Sequence, residues 1–198
     1  MFDSLMSGGS GAFGFTKQKV RRPRKVKGAN IKESATLPVF PNVFPYNEFL
    51  LNGTLRLGRF GVKTRSWDWW KYRGPVLLYT SSKNHWPAAN AYDMNPADFP
   101  HRAIVGVGKL VNIRLLTGKE KDRITMQFNN WNRGQLQAMQ RGDVFEQWIA
   151  PFEFGFFFEN LRRFKAPVPF NWPPGPVQLN KAPLSLVAKS LKEVGYDA

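Results

Sequence analysis

The stretch Gly61–Lys83, GVKTRSWDWWKYRGPVLLYTSSK, joins two patterns that core strands and surface loops keep apart. Its first half sets Trp67, Trp69, Trp70 and Tyr72 among Lys63, Arg65, Lys71 and Arg73. Its second half is a short apolar run opened by Gly74-Pro75. Such a run, bounded by turn residues, predicts a buried strand over 74–82. A core strand does not need the charges, and a solvated loop does not need the indoles. The two residue types interleave where a protein holds single-stranded or looped nucleic acid. Phosphates then take the Lys and Arg, and unstacked bases lie on aromatic faces at about 1–3 kcal/mol each.

Outward from this stretch the chain alternates short strands with turns. RAIVGVGKLVNIRLLT (102–117) predicts a long strand, with Gly106 and Gly108 marking a bulge or a sharp bend. DRITMQFNNW places Ile124, Met126 and Phe128 at period two and predicts a half-buried strand. FEFGFFFENLRRF (152–164) reads as an aromatic strand. EFLLNGTLRLG predicts a short helix or turn-rich piece, and HWPAANAYDMNPADFP a loop with a helical turn. GQLQAMQRGDVFEQWI predicts one helical turn followed by loop, and APVPFNWPPGPVQL an extended proline-rich segment. PLSLVAKSLKEVG sets Leu184, Val187, Leu191 and Val194 on one face of a terminal helix that Gly195 can stop. In LPVFPNVFPYNEF (37–49), Pro38, Pro41 and Pro45 argue against a regular helix or a central strand, so an extended surface connector is expected. The fold class is mainly β (α+β): a small closed barrel with short peripheral helices and a C-terminal helix.

The 198 residues suffice for one domain plus an arm. The absence of cysteine excludes disulfides and Cys-ligated metals, and with His85 and His101 as the only histidines no metal site or cofactor is expected. A net charge of +15 favours polyanionic partners. Residues 1–36 carry eight Lys or Arg against Asp3 and Glu33, hence +6, without apolar periodicity. They read as a flexible or extended basic arm, centred on Arg21, Arg22, Arg24, Lys25 and Lys27 of RRPRKVK. The expected domain order is this arm, a proline-rich connector over 37–49, a barrel over 50–180 and a C-terminal helix over 181–198. No apolar run approaches the roughly 18–20 residues of a membrane span, and the N-terminus does not read as a secretory signal. A cytoplasmic protein is expected, in host cytoplasm or virion if the source is viral, with no membrane partner.

The order TRSW (64–67), YRGPVLLYTSSK (72–83), AIVGVGKLVNIRLLT (103–117) and FEFGFFFENLRRFKAPVP (152–169) resembles the ASCH domain, a family with the PUA-like β-barrel fold. The resemblance spans roughly residues 48–180. It implies RNA binding, and in some members a ribonuclease or an amidohydrolase acting on modified nucleosides. The family signature is G-x-K-x-x-E-x-R, whose Lys and Glu line the cleft. Anchored on TRSW, Gly58 and Arg65 match, while the Lys and Glu positions hold Phe60 and Lys63. Anchored on GVKT, Lys63 is the lysine, but Ser66 and Asp68 stand at the Glu and Arg positions. Neither register keeps the pair that could share proton transfer.

The expected activity is therefore non-catalytic binding of nucleic acid, RNA in preference. The candidate contacts are the arm residues together with Arg59, Lys63, Arg65, Trp69, Trp70, Lys71, Arg73 and Lys83. From Gly53 to Lys83 seven cations face Asp68 alone, again +6. Bland roles compete at several positions: Trp67 and Tyr72 as core, Arg65 as a brace for its turn. Trp69 and Trp70, being adjacent, cannot share a face of a strand, so one of them is expected outside. Lys83, His85 and Glu159 remain as titratable candidates for a hydrolase, with polar surface roles as the alternative. The rival readings are a structural or assembly protein of a phage particle or other large complex, contacting protein subunits, and then a ribonuclease or nucleoside-acting amidohydrolase.

Overall fold

The computed structural model describes residues 35–68, 70–141, 153–173 and 180–196. Seven strands form one mixed sheet in the order β2-β3-β6-β5-β4-β1-β7. They are β1 (Thr36–Phe44), β2 (Arg56–Leu57), β3 (Phe60–Arg65), β4 (Gly74–Asn84), β5 (Ala103–Leu115), β6 (Phe154–Pro169) and β7 (Lys181–Pro183). Five α-helices accompany them among the described residues: α1 (Tyr46–Asn52), α2 (Trp86–Ala91), α3 (Gly118–Phe128), α4 (Arg133–Gln140) and α5 (Leu184–Glu193).

The sheet is rolled. In a flat sheet β1 would lie three strand spacings from β6, about 14 Å, and four from β3, about 19 Å. Yet the Phe40 ring on β1 stands 5.5 Å from Phe156 and 5.2 Å from Phe158 on β6. Arg65 on β3 hydrogen-bonds to Pro41 and Asn42 on β1. Strands β1 and β3, each one in from an edge of the sheet, therefore meet, which gives the barrel-like form expected from Gly-bent strands. This seam is bridged by side chains, and α1 packs beside it against β1, β3, β4 and β6.

Continuous apolar runs arise because both faces of the central strands are covered. Val76 and Leu78 of β4 join Phe40, Trp70, Phe156 and Phe158 inside the roll. Leu77 and Tyr79 face the opposite way, onto Val187 and Leu191 of α5. Phe157 of β6 turns from its two neighbours toward Leu57, Val62, Ile124 and Phe128, a layer roofed by α3. The ladder of β5 on β6 shifts register near Gly106 and again before Lys109, the bend that the glycines signalled. A Cβ on Gly106 would lie 2.5 Å from the Arg162 carbonyl oxygen, so close strand approach requires glycine there.

Two elements depart from expectation. The proline-rich segment 37–49 is no surface connector: it supplies most of β1 and the start of α1, and Val39, Phe40 and Phe44 are buried. Alternate residues of a strand direct their backbone polar groups to the same side. The Val39 N–H points to the β7 side, bonding to the Asn180 carbonyl, so Pro41 faces that side too, beyond where β7 pairs. Pro38 faces the β4 side before that pairing begins at Val39. Neither missing N–H breaks a ladder bond.

The second departure is the segment from Asp122 to Phe128, expected as a strand, which lies in α3. Thr117 accepts from the Glu120 N–H while Glu120 accepts from the Thr117 N–H, a complete capping box. Ile124 and Phe128 are buried at helical spacing and Met126 is only half-buried, so the period-two match was coincidental. The predicted strands over 74–82, 102–117 and 152–164 are present as β4, β5 and β6, and the terminal helix as α5.

Candidate functional site

Strand β3 carries Lys63 and Arg65 two residues apart, hence on one face, and that face looks into the roll. Lys63 is 4% exposed. Its Nζ stands 2.9 Å from the centroid of the Tyr46 ring, the first residue of α1. Burial, and then the charge of Arg65, hold the Lys63 ammonium well below the ordinary lysine range, which favours the neutral amine. Burial pushes the Tyr46 hydroxyl up, against a smaller downward pull from Arg65. The His85 ring packs on Tyr46 and Phe128, and its Nδ1 accepts from the Ala88 N–H at the start of α2. Its pKa is lowered by burial and by Lys63.

Arg65 heads a buried polar chain. Its guanidinium donates to the Pro41 carbonyl and, at 3.0 Å, to Asn42 Oδ1. Asn42 donates to Asn47 Oδ1 at 2.6 Å, and Asn47 donates to Thr80 Oγ1 at 2.9 Å. Burial lowers the Arg65 pKa to about 10, leaving it charged at neutral pH. The role as brace is therefore the observed one, although it braces the sheet margin and not its own turn. Glu48, the buried acid among the described residues, is turned to Arg163 through a bidentate pair and is not directed at Lys63.

The remaining expected contacts divide. Arg59 and Lys83 are exposed, as is Lys71. Arg59 pairs with Glu159 at 2.9 Å and lies over the Phe60 ring. Arg73 is half-buried and donates to the Trp70 and Tyr72 carbonyls, so it shapes the turn before β4. Trp70, at 3% exposed, is wedged against Phe40, Trp67 and Phe156 and offers no stacking face to a ligand. Lys63 is likewise internal, because β3 turns its 61-63-65 face into the roll. Trp69 and the arm residues Arg21, Arg22, Arg24, Lys25 and Lys27 lie outside the described residues.

Sequence reasoning missed a groove of about 500 Å³ between the β2–β3 hairpin and the start of α3, lined by Leu57, Phe60, Arg114, Lys119 and Arg123 among others. Reading DRITMQFNNW (122–131) as a strand hid it, since a helix brings Lys119 and Arg123 within one turn of each other, where a strand would hold them far apart. The Thr117-x-x-Glu120 capping box was the signal that could have found it.

Fold and site together define a rolled mixed-sheet module with an aromatic interior crossed by one polar chain from Arg65 to Thr80, and a chain-wide excess of cations. No family model matches the chain, and no curated protein matches it. Among solved structures the chain is similar to ASCH from Zymomonas mobilis, at 12% identity and a TM-score of 0.42, over 78% of this chain and 93% of that one. A single-substitution variant of the same protein gives 11% identity and a TM-score of 0.44, over 82% and 99%. The N-terminal domain of Staphylothermus marinus McrB is similar at 11% identity and a TM-score of 0.32, over 85% and 89%. Among the described residues, no helix is long and apolar enough to cross a membrane, and no group of three or more His, Asp or Glu stands together as a metal site would need.

Proposed function

We propose that the chain is a non-catalytic RNA-binding module of ASCH type, taking single-stranded or looped RNA on its basic exterior with the N-terminal arm clamping phosphates. The observation that carries this reading is the placement of charge. The chain has 29 Lys and Arg against 14 Asp and Glu, and its buried Lys63 and half-buried Arg65 are committed to the interior. The cationic excess therefore belongs to the outside, where a polyanion reads it. The ordered motif set, from TRSW to the strand ending in Pro-Val-Pro, supports the ASCH assignment independently of charge.

Catalysis is disfavoured by the chemistry at the signature positions. Phe60 does not titrate, and Lys63 is held against an aromatic face with Arg65 as its nearby charge. Protein prepared without nuclease should carry nucleic acid, seen as a raised 260/280 nm absorbance ratio that ribonuclease lowers. Incubation with labelled RNA should leave it uncleaved. Turnover abolished by Lys83→Ala or Lys63→Ala would establish the hydrolase instead. Absence of nucleic acid with firm retention in a protein complex would favour the assembly role.

A further inference from the structure

The groove beside α3 is built from two unlike walls. One is apolar: Leu57 and Phe60 of the hairpin, with Phe157 behind them. The other is ionic: Arg114, Lys119 and Arg123 against Glu120. Glu120 is already satisfied. Arg114 grips it through two bonds of 2.8 and 2.6 Å, and Thr117 adds two more. The Arg114 guanidinium itself lies over the Phe157 ring, 4.4 Å from its centroid. That pair is neutral and fixed. Lys119 and Arg123 are left as a net +2 on the groove wall, and neither makes an ion pair or side-chain hydrogen bond with another described residue.

Their placement works against the helix. Lys119 is the second residue of α3, next to the positive end of the helix dipole, where a cation is unfavourable. Arg123 follows at i+4, a like-charge spacing that destabilises a helix. An anion held between them relieves both defects. The apolar wall opposite suits a flat ring, and Phe60 in it is only half-buried. Arg59, which lies over that ring and pairs with Glu159, has a side chain 78% exposed, so a base stacked on Phe60 takes the place of its guanidinium there.

Resting on the RNA-binding reading above, we propose that this groove seats one nucleotide of a single-stranded RNA, with its base on Phe60 and Leu57 and its phosphate between Lys119 and Arg123. The volume takes a nucleotide unit and not a duplex, so the groove selects unpaired RNA. Both cations are exposed and structurally uncommitted, which makes their removal clean.

The test uses the full chain and a fluorescein-labelled ten-residue polyuridine RNA, titrated across salt concentrations. The double variant Lys119→Ala/Arg123→Ala should bind about tenfold or more weakly at low salt, with the log–log salt slope reduced by roughly 0.7, the share of the one phosphate they hold. Phe60→Leu, which keeps apolar volume but removes the ring, should weaken binding without changing the slope. With 5-iodouridine in the RNA, photocrosslinking should map to Phe60 in the parent chain. Variants that match the parent in affinity and slope would overturn the groove assignment and leave RNA binding standing. A parent chain that binds no RNA at low salt would overturn both.

Discussion

At Lys63 a flexible cation has been drawn into an apolar interior with no carboxylate beside it, and the physical consequence is a proton equilibrium tied to folding. Its pKa in the fold lies well below the ordinary 10.5, from burial first and Arg65 second. Between the folded pKa and 10.5 the unfolded chain binds more protons, so this residue's contribution makes stability rise with pH across that window. Lys63→Met keeps the volume and removes the titration. The variant is expected to be more stable than the parent at pH 7, with the gap narrowing as pH approaches 10.5. Urea midpoints of both chains at pH 7 and pH 10 check this; a gap that is constant or grows with pH would contradict the lowered pKa of Lys63. The residue also shows where sequence reading stops. The motif offset identified Lys63 as displaced from the family pattern, but only the pairing of Gly61–Arg65 with Phe154–Phe158 turns its side chain inward. Trp70 is a parallel case: composition called for an exposed indole near it, and Phe40, 30 positions earlier, buries it.

Elements whose signal is local were legible. PVLLY and GFFF read as strands because both faces are covered, by the roll's interior on one side and by helices on the other, and no alternation was needed. Gly106 announced the bend in β5 because the Arg162 backbone lies against it. Elements whose identity depends on partners were not legible. The prolines of β1 are tolerated only because β7 stops short and β4 begins after Pro38. Helix α3 was lost to a three-residue coincidence of period, although its cap was written in the sequence. That cap supplies a check on the helix: Thr117→Ala removes the acceptor for the Glu120 N–H and should cost about 1 kcal/mol in chemical denaturation. A change within measurement error would mean that the capping box contributes nothing and that packing of Ile124 and Phe128 alone holds α3.

For the molecule as a whole, the fold and the charge perform separate tasks. Aromatic packing between β1 and β6, with Arg65 bridging β3 to β1, closes the sheet. The exterior, and the arm proposed to extend it, keep the cations. RNA affinity dominated by these charges must fall steeply with salt, by about 0.7 in log–log slope for each phosphate neutralised on a single strand. The direct measurement is the equilibrium dissociation constant of the full chain for a single-stranded RNA at a series of salt concentrations from about 50 to 300 mM. The account predicts tight binding at the low end and a slope of roughly −3 or steeper, corresponding to four or more phosphate contacts shared by arm and domain. A dissociation constant that is weak throughout, or one that does not change with salt, would contradict it.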